Sequence, residues 1–105
     1  MSFLVFYVPC PDEATALRLS EQMVGQQLAA CANIFPIKSL YVWQDELQKD
    51  QEWVCLLKTR PELENALEVA VTSLHPYELP CILRYEARAN EAYETWIRER
   101  TQAEK

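Results

Sequence analysis

The sequence predicts an α+β domain with the element order βαββαβα, and three observations carry that reading. Two stretches, Asp12 to Leu28 and Pro61 to Leu74, repeat apolar residues at helical spacing. β-Favouring runs stand before, between and after them, at Phe3 to Val8, Ala32 to Trp43, Trp53 to Thr59 and Cys81 to Ala87. The chain has 105 residues, half of them apolar, which is enough for one core and too little for a second. Residues 1–105 are therefore read as a single domain.

Phe3 to Val8 is apolar throughout, as in a central strand buried on both faces, and Pro9 and Pro11 close it. Asp12 is a helix cap. Behind it Ala16, Leu17, Met23, Val24 and Leu28 form one stripe, with Glu13, Arg18, Glu21 and Gln26 outside it, which predicts a helix of about five turns. Ala32 to Trp43 and Trp53 to Thr59 read as a long hairpin joined by the polar stretch Gln44 to Gln51. Pro61 opens the second helix, which runs through Leu63, Ala66, Leu67, Ala70, Val71 and Leu74 and ends near His75-Pro76. Cys81 to Ala87 is the fourth strand. Asn90 caps a last helix that buries Ala92, Tyr93, Trp96 and Ile97, and the charged tail Arg98 to Lys105 is expected to fray.

Two helices alternating with four strands give an antiparallel sheet with helices on one face, a ferredoxin-like sandwich. The hairpin exceeds what such a sandwich needs. Phe35, Ile37, Tyr41 and Trp43 alternate with Ile34, Leu40 and Val42 on its first strand, and Trp53, Cys55 and Leu57 alternate with Val54 and Leu56 on its second. No register hides both sets beneath two helices. The first strand is also about twice the usual five or six residues and should leave an unpaired edge. Closed, symmetric self-association answers both demands.

Sixteen acidic residues against ten basic ones give a formal charge of −6, which excludes a binder of phosphate backbones and so nucleic acid as a partner. No run approaches the roughly 20 apolar residues of a membrane helix. The start Met1-Ser2-Phe3 lacks a secretory pattern. Cys10, Cys31, Cys55 and Cys81 stand singly, with no Cys-x-x-Cys pair and one histidine in the chain, so a zinc ribbon and a paired redox motif are excluded. Reduced thiols in a cytoplasmic protein are expected.

The segments Pro11-Asp12-Glu13, Ala29-Ala30-Cys31-Ala32-Asn33-Ile34, Ser39-Leu40-Tyr41-Val42-Trp43, Lys58-Thr59, His75-Pro76-Tyr77-Glu78 and Trp96-Ile97 follow one another in order from about Phe3 to Ile97. Together they resemble the CutA family of divalent-cation tolerance proteins. The resemblance implies a ferredoxin-like fold, a homotrimer around a threefold axis with an architecture similar to the nitrogen-regulatory PII proteins, and a role in the response to divalent metal ions such as copper. Two departures stand out. Pro36 is followed by Ile37 and Asp45 lies near the hairpin tip, at places where many relatives carry glycine, so a different local bulge at Pro36 is expected.

His75, at the end of the second helix, has a structural role as its default, since a protonated imidazole there is favoured by the helix dipole. As a metal ligand it would act with Glu78 or Cys31, because imidazole and thiolate suit copper or zinc. No cofactor is required by the sequence beyond such a cation. Cys55, mid-strand in an apolar run, is expected in the core. A turn over Gln44 to Glu46 would set Cys55 opposite Phe35 and Cys31 opposite Thr59, so these two cysteines are not partners. Tyr41, Trp43 and Trp53 read as subunit-interface anchors, or as the lining of a cleft to which Lys58, Tyr77 and Glu78 add polar groups for a small ligand. The alternative function is accordingly a PII-like signalling or interaction scaffold. An enzyme is disfavoured: the only glycine, Gly25, lies in a helix, and a Cys31–His75 pair would lack a third orienting group.

Overall fold

The computed structural model describes residues 2–101. Its elements, in order, are β1 (Phe3–Cys10), α1 (Glu13–Gly25), β2 (Cys31–Trp43), β3 (Glu46–Thr59), a 3₁₀ turn (Pro61–Leu63), α2 (Glu64–Leu74), β4 (Leu83–Ala87) and α3 (Glu91–Arg100). The strands form one antiparallel sheet in the order β2-β3-β1-β4. This is the α+β ferredoxin-like arrangement expected from the sequence.

β1 is central because it is apolar on both sides of its pleat. Leu4, Phe6, Val8 and Cys10 face α1 and α2, and Phe3 and Val5 face α3. Across from β1, Leu57 pairs with Phe6 and Cys55 with Val8. Leu63 from the 3₁₀ turn and Leu67 and Val71 from α2 close this layer on one side, and Ala16, Leu19 and Met23 close it from α1. Cys55 is buried in the core as expected.

α1 begins where the sequence places it, with Asp12 Oδ1 accepting from the Thr15 amide at 2.7 Å. It stops at Gly25, well short of five turns, since Gln27 takes a left-handed conformation (φ 63°) and turns the chain back. The buried face is Thr15, Ala16, Leu19, Ser20 and Met23, while Leu17 and Val24 are exposed, so the stripe is rotated from the expected one. Leu28 is buried from the following loop instead, whose carbonyl oxygen accepts from Thr59 Oγ1 at 2.7 Å.

The hairpin differs most from the sequence reading. Trp43 pairs with Glu46, leaving only Gln44 and Asp45 between the strands, both left-handed at φ 52° and 66°. Two such residues make a type I′ turn, whose twist matches that of the flanking strands. The polar stretch Glu46 to Glu52 is therefore strand and not loop, held by pairing with β2. Cys55 lies opposite Ile34 and Cys31 opposite Lys58, one residue away from the expected register. The ladder runs without interruption past Pro36, which has no bulge and sits on the edge strand where a missing N–H is tolerated.

β4 starts at Leu83, two residues later than expected. At α3, Asn90 holds the cap position but its side chain makes no cap bond. Glu94 does the work by accepting from the Ala89 amide at 2.8 Å and from Arg88 Nε at 2.9 Å. Tyr93, Trp96 and Ile97 pack as expected, whereas Ala92 is exposed. Arg98 belongs to the helix and not to a frayed tail: its carbonyl oxygen accepts from Arg60 at 3.0 Å, and Thr101 is fully buried. Residues 102–105 of the expected tail lie outside the described part.

Asp45→Gly should raise stability by up to about 1 kcal/mol in urea unfolding, because glycine adopts the left-handed turn without the Cβ penalty. The Ala89 amide, then the Arg88 guanidinium, hold the Glu94 carboxyl down at about 2, against an ordinary 4.5. A lowered folded-state pKa contributes stability that is present above the ordinary value and lost as pH falls. Glu94→Gln should thus lower the thermal midpoint at neutral pH and flatten its decline between pH 4.5 and 2.

Candidate functional site

Helices α1 and α2 cover one face of the sheet, and α3 covers only one end of the other. At the opposite end of that open face lies a cavity of about 370 Å³ lined by Pro9, Tyr41, Trp43, Glu52, Tyr77, Glu78, Leu79 and Cys81. Its floor is the sheet: Pro9 from β1, Glu52 from β3, and Tyr41 and Trp43 from β2. Its wall is the loop between α2 and β4, which supplies Tyr77, Glu78, Leu79 and Cys81.

His75 anchors that loop. Its Nε2–H donates to the Pro9 carbonyl oxygen at 2.8 Å, and its Nδ1 accepts from the Tyr77 amide at 3.1 Å. These partners assign the neutral Nε2–H tautomer. The charged imidazole expected from the helix dipole is therefore not the one bound here, and neither ring nitrogen has a free lone pair. His75 is buried and fixes the position of Tyr77, whose ring packs 4.8 Å from its own.

Tyr77 donates its hydroxyl to Glu52 Oε2 at 2.7 Å, and Tyr41 donates to Asp50. Glu52 is only 7% exposed, an unusual place for a carboxylate. Burial and then the Glu52 acceptor push the Tyr77 phenol well above its ordinary pKa, so it stays a donor. With Glu52 and Glu78 on the lining and no basic side chain among the lining residues, the cavity presents aromatic walls and negative charge, a combination that attracts cations.

The residues singled out from the sequence divide accordingly. Tyr41, Trp43, Tyr77 and Glu78 line the cavity. Trp53 lies on the helix-covered face against the core, and Lys58 lies under α3 with its Nζ 5.4 Å from the Tyr93 ring centre. Cys31 pairs with Lys58, opposite Val5, four residues along β1 from Pro9, or roughly 13 Å at the usual strand rise. The chain therefore does not bring His75, Glu78 and Cys31 together, and among the described residues no three histidine, cysteine or carboxylate groups converge as a metal site. Sequence reasoning missed Glu52. The signal available was its alternation with Val54 and Leu56, which puts it on the same face as Tyr41 once the register is known.

Tyr77→Phe leaves the buried Glu52 carboxylate without its hydroxyl donor. A loss of about 1–3 kcal/mol in urea unfolding is expected, with much of it recovered in the Tyr77→Phe/Glu52→Gln double variant, where no charge remains buried.

Residues 4–100 match the family model described as CutA1 divalent ion tolerance protein. The divalent-cation tolerance protein CutA of Thermotoga maritima is 38% identical over 98 residues, covering 91% of this chain and 96% of its own. That of Thermus thermophilus is 38% identical over 99 residues, covering 92% and 96%. Among solved structures, CutA1 from Oryza sativa superposes with a TM-score of 0.92 at 33% identity, covering 97% of this chain and 95% of its own. CutA from Archaeoglobus fulgidus, described as a periplasmic divalent cation tolerance protein, superposes with a TM-score of 0.90 at 31% identity, covering 97% and 100%. A sequence match over almost the whole chain and the same fold at that level of superposition lead to one conclusion: this chain belongs to the CutA1 divalent ion tolerance family.

Proposed function

We propose that the chain works as a homotrimer in the response to divalent metal ions, binding copper or a similar cation directly, without a catalytic step. The observation that carries the assembly is the hairpin. Leu40, Val42 and Leu47 on one of its faces are 70%, 67% and 62% exposed, and Tyr41 and Trp43 on the other are 41% and 42% exposed. Apolar surface on both faces of a projecting ribbon, beside the unpaired edge of β2, calls for a second copy as cover. A closed ring of such contacts ends the series without leaving an open edge.

Of the three donors singled out from the sequence, Glu78 lines the cavity. Glu52 adds a second carboxylate there, and His75 contributes by holding the loop in place. Cys31 lies elsewhere on the same sheet. The cytoplasmic placement belongs to this proposal and is supported by four free cysteines. No helix of the described residues is long and apolar enough to cross a membrane.

A second reading has its own support. Three aromatic side chains and two carboxylates around about 370 Å³ would suit a small organic cation, in keeping with a PII-like scaffold that senses a ligand. Its mark is saturable binding indifferent to chelators.

Light scattering on the reduced protein should give three times the 12.3 kDa chain mass, and Leu40→Asp/Val42→Asp should shift it to the monomer. Calorimetric titration with copper and zinc should show stoichiometric binding that Glu78→Gln weakens at least about tenfold. A monomeric wild type would overturn the assembly, and binding indifferent to Glu78→Gln would overturn the site.

A further inference from the structure

On the helix-covered face of the sheet, away from the cavity, two thiols face each other. Cys10 and Cys55 are both fully buried, with their Sγ atoms 3.8 Å apart. They lie diagonally across the β1–β3 ladder, Cys55 opposite Val8 and Cys10 opposite Trp53. α1 roofs them. The Ala16 carbonyl oxygen is 3.2 Å from Cys55 Sγ. Ser20, one helical turn later, is 4% exposed and its Oγ is fully enclosed. That hydroxyl lies against the Cys55 sulfur, where it favours the thiolate.

A buried cysteine by itself is a small inert hydrophobe. That reading leaves the buried Ser20 hydroxyl with a sulfur as its weak partner, and a buried polar atom short of a full hydrogen bond costs up to about 1–3 kcal/mol. The Cys10 sulfur, the Ser20 hydroxyl and the Ala16 carbonyl oxygen thus all gather about the Cys55 sulfur. We propose that Cys10, Cys55 and Ser20, with the Ala16 carbonyl oxygen, form a buried site for one thiophilic divalent cation such as zinc or cadmium.

Geometry favours a metal over a disulfide. Zinc–thiolate bonds of about 2.3 Å opened to the tetrahedral angle place two sulfurs about 3.8 Å apart, the separation already present. A disulfide needs about 2.05 Å, so the strands would have to close on each other. Charge favours a divalent ion over a monovalent one. The cation replaces both thiol protons, M²⁺ + 2 RSH giving M(SR)₂ and 2 H⁺, and the product is neutral. An apolar core accepts a neutral unit where it rejects an isolated charge. The Cys10–Cys55 bond lowers the pKa of Cys55, helped by Ser20, and the same bond together with burial raises that of Cys10. Of the two protons that the cation displaces, the one on Cys10 is therefore held the more tightly. Cys10 ends β1 next to the bend at Pro11-Asp12, where the chain returns to the surface. The site stands independently of the cavity and of the assembly.

The test uses the reduced full-length Cys31→Ser/Cys81→Ser variant, in which only the two buried thiols remain. Cadmium titration should give one ion per chain, a thiolate-to-cadmium charge-transfer band, and two protons released per ion. Apparent affinity should rise about hundredfold per pH unit while both thiols are protonated. Adding Cys10→Ala or Cys55→Ala should abolish the band, and Ser20→Ala should keep it with affinity roughly tenfold weaker. X-ray absorption of the zinc-loaded Cys31→Ser/Cys81→Ser variant should count two sulfur neighbours at about 2.3 Å, a readout that holds even if an alanine variant fails to fold. No band, no proton release, a zinc shell without sulfur, or a band that survives Cys10→Ala would overturn the proposal.

Discussion

With only Gln44 and Asp45 between β2 and β3, Trp43 must pair with Glu46, and each later pair follows from that one without a bulge to Cys31 opposite Lys58. Side chains alternate with a period of two, so a slip of one residue would send Leu57 and Cys55 out of the core and bring Leu56 and Val54 in. The register decides which half of the hairpin's apolar residues is covered by α1 and α2. It also puts Tyr41, Asp50 and Glu52 on one face, where they meet the α2–β4 loop. Core and cavity are two consequences of the same two-residue turn.

Coverage of the sheet is uneven. α1 and α2 close one face over the inner parts of the strands, and α3 closes the other only around Phe3, Val5 and Leu56. Beyond those limits the hairpin continues unsupported, and its length helps to give the chain a principal extent of 45 Å against 27 and 21 Å. Strand pairing satisfies the backbone there, but among the described residues nothing covers the apolar side chains Leu40, Val42 and Leu47. The cavity sits where the supported sheet gives way to the free hairpin, so a partner that covers the hairpin would also border the cavity.

Polar groups in and around the core are of two kinds. At the cavity, the neutral His75 ring and the Tyr77 hydroxyl spend their hydrogen bonds on holding a loop and a buried carboxylate, leaving oxygen donors toward solvent. Beneath α1, the donors are two sulfurs and a hydroxyl enclosed by apolar side chains. Carboxylate oxygens suit hard cations and thiolates suit soft ones, so a thiophilic ion such as cadmium would prefer the second place.

The order of elements, the cap at Asp12, the helical start at Pro61 (a 3₁₀ turn leading into α2), the central position of β1 and the two-faced hairpin were legible in the sequence, because each depends on local spacing and composition. The α1 face, the end of that helix and the fate of Glu46 to Glu52 were not. A stripe containing Leu17 and Val24 scores as apolar as the true one, and only contact with the sheet selects between them. A polar segment becomes strand when a tight turn lays it against a partner, which pairing decides and composition does not. The sequence by itself determined which side chains could reach one another along a strand or a helix. Tertiary structure alone decided that His75 would hold Pro9 and Tyr77, and that Cys10, Cys55 and Ser20, far apart in the chain, would meet beneath one helix. Such encounters depend on strand order and register, which are set by the summed burial of the whole chain.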